Sequence, residues 1–162
     1  MLTRLAATAV AMTMICGSTW AQDANALQGT WRLVSSITEL GGKVTHQFGT
    51  GANGMMILDA RGRFMLTIIG QDLPRFASNS RASGTPEEAK AVVAGSIAMF
   101  GTYIYDPATR TITLKTELAT FPNWNATTQE RSVISATSAE LKYTTAQASG
   151  GGTATVTWRR AK

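Results

Sequence analysis

The sequence predicts an all-β protein: an antiparallel meander of eight or nine strands, closed as a barrel or stacked as a sandwich, with one inserted α-helix. Three observations predict it. Apolar residues recur at alternate positions through most of the chain, the period of half-buried strands. The segments so marked follow one another across short turns, which join antiparallel neighbours and are too short for parallel crossovers. One segment alone, Thr85-Pro86-Glu87-Glu88, carries a helix-start signal.

The 162 residues suit a single domain, since a chain of about 150 residues buries roughly 70% of its unfolded surface. Residues 1–21 predict a secretory signal peptide. Arg4 precedes an apolar run from Leu5 to Ile15, too short to span a bilayer, and small residues lead to Thr19-Trp20-Ala21. The folded domain is then 22–162, in the periplasm or outside the cell, with no stable membrane insertion. Lipidation at Cys16 would need a small residue before it, where Ile15 stands. Cys16 is the one cysteine, so the processed chain has no disulfide and no thiol redox chemistry. Removing Arg4 from the fifteen Lys and Arg leaves fourteen against ten Asp and Glu. These bases are scattered, with Arg159-Arg160 the adjacent pair, which is a soluble basic surface or one weakly attracted to anions and not a nucleic-acid stripe.

The elements follow in order. "TWRLVSSI" sets Trp31, Leu33 and Ile37 on one strand face and Arg32 and Ser36 on the other, and Gly41-Gly42 turns the chain into "KVTHQF". "MMILDA" and "RFMLTIIG" flank Asp59-Ala60-Arg61-Gly62 as a hairpin. A polar stretch over residues 70–85 interrupts the β pattern. Thr85 then serves as N-cap, Pro86 as first helical residue and Glu88 as the return half of a capping box. Ala89, Val92, Val93, Ile97 and Phe100 continue at helical spacing, an apolar face that would pack on the barrel or cover its end. "TYIYD" and "TITLKTEL" form a hairpin about Pro107-Ala108-Thr109, "RSVISA" and "ELKYTT" another, and "TATVTWRR" closes the chain after the turn at 149–152.

Several chemistries are excluded. "GTGANG" (residues 49–54) has the spacing of a dinucleotide fingerprint, yet a strand follows it where phosphate binding needs a helix. His46 is the one histidine, so neither a zinc or copper site nor a nucleophilic triad has enough members. Glu87 and Glu88 complement the helix dipole, and Asp72 with Arg75 reads as a loop ion pair. Asn125-Ala126-Thr127 fits a glycosylation acceptor, which the bacterial look of the leader discounts. No cofactor is implied.

What remains is aromatic and guanidinium chemistry. Apolar walls with a few convergent polar groups describe a small-molecule cavity, and also an ordinary core. The candidate ligand-binding residues are Arg75, Phe76, Tyr103, Trp124 and Arg131, for a small hydrophobic or amphipathic ligand. Arg75 beside Pro74 and Phe76 is the leading charged anchor; a surface arginine stacked on Phe76 is the alternative. Loops of about fifteen residues in compact domains are often lids, so residues 70–85 are expected at the mouth. At the other end Gly29-x-Trp31 places an indole to close the barrel, covered by Arg159 or Arg160 through cation–π contact.

"GTWRLVS", "DLPRFAS", "GTPEE", "FGTY" and "FPNW", in this order, resemble the bacterial and fungal lipocalin-like domain family, a branch of the calycin-type β-barrels. The resemblance runs from Leu27 to Arg160. It implies an eight-stranded, up-and-down antiparallel barrel with an inserted helix and an internal cavity with room for one small ligand. It implies no common reaction, and where many relatives have a tyrosine and a histidine this chain has "MMILDA" and "TITLKT". Three functions are therefore expected in turn: an exported small-molecule binder; an isomerase, cyclase or hydratase working through Asp72, Tyr103 and Glu117; or an envelope interaction module with an exposed apolar patch.

Overall fold

The alternating pattern resolves into nine antiparallel strands in the computed structural model, which describes residues 26–162; the predicted leader lies outside them. They are β1 (Gly29–Leu40), β2 (Lys43–Thr45), β3 (Asn53–Leu58), β4 (Arg63–Ile69), β5 (Ser96–Asp106), β6 (Thr111–Ala119), β7 (Thr128–Ala136), β8 (Glu140–Thr145) and β9 (Thr153–Arg160). Each pairs with its successor except β2, which pairs only with the end of β1. β1 pairs with β3 through residues 29–32 and with β9 along most of its length, so eight strands close into a barrel and the sandwich is excluded. Among the described residues no helix is long and apolar enough to cross a membrane.

The connections separate by length. At one end the hairpins β3–β4, β5–β6 and β7–β8 turn within three or four residues, beside both chain ends of the barrel. At the other end lie β2 with the loop to β3, residues 70–95, residues 120–127 and residues 146–152. The largest fully buried side chains, Trp31, Trp158, Leu27, Leu58, Ile112 and Leu141, all stand at the short-turn end. There Trp31 Nε1 donates to Leu27 O at 2.9 Å, and the Arg160 guanidinium lies 4.2 Å from the indole centroid. Arg160 also donates to the carbonyls of Ser138, Ala26 and Gln28. Gly29, at φ +133, has no side chain because the guanidinium occupies the space a Cβ would need.

Two expectations are corrected by local geometry. The helix, α1 (Pro86–Ala94), begins as predicted: Glu88 N donates to Thr85 Oγ1 and Thr85 N to Glu88 Oε2. It ends at the Gly95 cap, and Ile97 and Phe100 belong to β5, where they face opposite sides of the wall. Because helical spacing overran a strand whose own alternation starts at Ser96, the apolar face is lost: α1 buries no residue, and Val93 is 74% exposed. It neither plugs nor covers the barrel. The second correction concerns β1, where a bulge between Leu33 and Ser35 inserts one residue. Beyond it the strand faces exchange, so Ser36, expected outside, points in and is buried.

The outer wall carries a row of apolar side chains. Ile57, Met65, Phe100 and Leu118 are successive cross-strand partners on β3 to β6, and all four are exposed.

Candidate functional site

Inward-facing side chains fill the barrel at the short-turn end and leave a cavity of about 50 Å³ at the long-loop end. β4 and β5 supply an apolar wall of Leu66, Ile68, Ile97 and Met99, and β9 supplies Ala154 and Val156. The polar groups come from three strands: Ser36 after the β1 bulge, Arg131 on β7, and Tyr143 and Thr145 on β8. Register brings the last three together, since Arg131 pairs with Thr145 and Val133 with Tyr143. A buried water needs about 10–15 Å³ by the same measure, so the space suits about four waters or a compact ligand.

Loops narrow the mouth. Phe48 and Gln47 reach in from the β2–β3 loop, where Gln47 Nε2 donates to Ser149 Oγ of the β8–β9 loop at 2.9 Å. Trp124 comes from a 3-10 turn (Pro122–Trp124) held by backbone bonds to Phe121 and by Thr127 Oγ1 donating to Trp124 O. Phe121 meets the indole edge-to-face with centroids 5.4 Å apart, a geometry that favours one ring orientation.

Of the five candidate residues, Trp124 and Arg131 line this cavity, and Arg75, Phe76 and Tyr103 do not. Arg75 is exposed, in the loop after β4. Phe76 packs against Gly84 within the same loop. Tyr103 faces inward near the short-turn end, donating to Asp59 O at 3.0 Å; burial, followed by the nearby Asp59 carboxylate, pushes its phenol pKa up. Residues 70–95 leave the barrel at the same end as the cavity, and Gly70 N continues the β4–β5 ladder to Gly95 O. None of them lines it.

The acid–base candidates are not brought together. Asp72 is exposed and has no ion pair with Arg75, while Glu117 lies outside the wall, paired with Arg63 at 3.2 Å. Among the described residues no group of three His, Cys, Asp or Glu is placed to hold a metal. Ser36, Phe48 and Tyr143 escaped the sequence reading. Only the bulge reveals Ser36; Tyr143 stands in "ELKYTT" as one more alternating apolar residue, and Phe48 ends the predicted segment "KVTHQF", whose strand stops at Thr45 and leaves it in the loop.

Arg131 is 5% exposed. Its Nη1 donates to Glu130 O at 3.0 Å and its Nη2 to Gln129 Oε1 at 2.5 Å, and the Tyr143 hydroxyl faces it. Burial lowers the guanidinium pKa and raises that of the Tyr143 phenol, each partly offset by the other group.

Residues 28–161 match the family model of the lipocalin-like domain. No curated protein matches the chain. Similar solved structures include a redesigned beta barrel, 15% identical over 86% of this chain and 95% of that one, with a TM-score of 0.44. A de novo designed fluorescence-activating beta barrel is 13% identical over 85% and 96% respectively, also with a TM-score of 0.44.

Proposed function

From the premise that the chain belongs to the lipocalin-like domain family, we propose that it is an exported binding protein that holds a small, largely hydrophobic molecule at the long-loop end of the barrel. The observation that carries the reading is the cavity itself: apolar walls from β4, β5 and β9 facing a few polar groups on β1, β7 and β8. That combination buries an apolar body and orients a polar end. Its size favours a compact ligand, and Trp124 in its wall supplies an optical reporter.

Native mass spectrometry of gently purified protein, together with tryptophan fluorescence titration against lipid-like and aromatic compounds, tests the reading. Bound mass and a fluorescence change that Trp124→Phe removes are expected. A barrel that shifts neither signal with any of these compounds overturns it. Export rests on residues 1–21, and N-terminal sequencing of protein recovered from the cell envelope or medium is expected to begin at Gln22; an intact Met1 there overturns it.

A further inference from the structure

The charge balance of this cavity carries a step further, resting on the binding reading above. No Asp or Glu lines it. Glu130, next to Arg131 in sequence, points to the opposite face of β7 and is exposed. The interactions of Arg131 are with a carbonyl, an amide oxygen and a phenol. A full positive charge is thus buried against an apolar cavity with neutral groups as its bonding partners, and the one carboxylate nearby, Glu130, faces an outer cleft; the arrangement costs stability unless an anion meets it. A second donor stands beside it: Gln129 Nε2 is buried and has no acceptor among the described residues, although Oε1 of the same amide accepts from Arg131.

The strand register places both groups at an opening. β7 starts at Thr128, but its pairing with β8 starts only at Arg131–Thr145, so residues 128–130 are paired on the β6 side alone. Beside the unpaired edge lies an outer cleft of about 510 Å³, lined by Gln129, Glu130 and Gln147 among others. Trp124 and Arg131 line both this cleft and the inner cavity and so form the wall between them.

We propose that the ligand is a small organic carboxylate, its charge held by Arg131 and Gln129 Nε2 at this wall and its apolar part in the inner cavity. The guanidinium fork matches a carboxylate in two parallel bonds, and a neutral amide of the same shape forfeits the charge.

The test is an NMR titration of the isotopically labelled protein with butyrate and benzoate, each against its amide, butyramide or benzamide. In the wild type the acids are expected to bind about tenfold more tightly than the amides, since charge-assisted bonds are roughly twice as strong as neutral ones. The Trp124 indole resonance should shift on binding, and Arg131→Met should erase the preference. Should that variant not fold, Arg131→Lys carries the test, expected to weaken the acids several-fold more than the amides because the paired bonds to a carboxylate are lost. Acids and amides binding equally, a preference that survives Arg131→Met, or undiminished acid binding in Arg131→Lys each overturn the carboxylate assignment. If neither acids nor amides bind, the assignment also fails; the fluorescence titration with lipid-like and aromatic compounds then decides separately whether the cavity binds anything.

Discussion

Arg160 does at the short-turn end what no apolar residue there could do. It covers the Trp31 ring and donates to the carbonyls of Ala26, Gln28 and Ser138, which lie outside the strands. Removing it with Arg160→Ala is expected to cost about 2–3 kcal/mol, from the cation–π contact and charge-assisted bonds together; urea denaturation measures it, and a loss below about 0.5 kcal/mol would mean that water replaces the guanidinium freely. Tyr103 makes a pH-dependent contribution. Its folded pKa is raised by burial, so the stability tied to the neutral phenol is present below the ordinary value of about 10 and is lost as pH rises through the folded pKa. Tyr103→Phe should cost about 1 kcal/mol at neutral pH, the hydrogen bond to Asp59 O. It should also flatten the fall of stability with pH above about 10, and an unchanged alkaline slope would contradict this. Trp31 and its arginine cover were legible in the sequence because Gly-x-Trp and a terminal basic pair are local signals. Tyr103 was readable as inward-facing, but its depth along the barrel depends on which end holds the short turns.

Among the elements, α1 owes its start to local chemistry and little else. Glu88 closes the capping box to Thr85 N and accepts from Ala77 N at 2.9 Å, tying the loop to the first helical turn. These two backbone bonds, that from Ala77 the larger, hold its carboxyl below the usual range. A depressed carboxylate adds stability above its ordinary pKa and loses it as pH falls through the folded one. Hydrogen exchange at Ala77 and Thr85 is therefore expected to speed up relative to β-strand amides as pH drops below the ordinary carboxylate range. Glu88→Gln should produce the same loosening at neutral pH; equal exchange in variant and wild type at both amides would refute it. The capping box was readable because its four residues are consecutive. The far end of the helix was not, since Ile97 and Phe100 fit both a helical face and an alternating strand and only pairing with β4 decides between them. In β1 one extra residue reverses two faces with no change in composition, which is why Ser36 was assigned to the outside.

The molecule as a whole divides its labour between its two ends. Short turns and the largest buried side chains stand together at one end, and long loops and the cavity at the other. The barrel was legible because alternation and turn residues repeat along the chain, and Trp124 and Arg131 were among the residues picked for the ligand. Arg75 and Phe76 were picked with them because loop length points to a lid whatever the loop covers. In the structure that excursion is attached to the barrel mainly through its base: Gly70 N meets Gly95 O, and β4 and β5 already pair up to Ile69–Ser96. Joining Gly70 to Gly95 through a short Asn-Gly turn in place of residues 71–94 should therefore preserve the fold. A shorter loop lowers the closure entropy slightly, by about 0.6 kcal/mol per halving of length, against the loss of contacts such as Leu73 on Gly95. The shortened protein is expected to melt within a few degrees of the wild type and to bind the same compounds with affinities within about threefold, because residues 71–94 contribute nothing to the cavity wall. Calorimetry and the fluorescence titration measure both. Lost binding at unchanged stability would restore residues 70–85 as a lid that closes over ligand, and a collapse of the melting transition would make the excursion a structural part of the barrel.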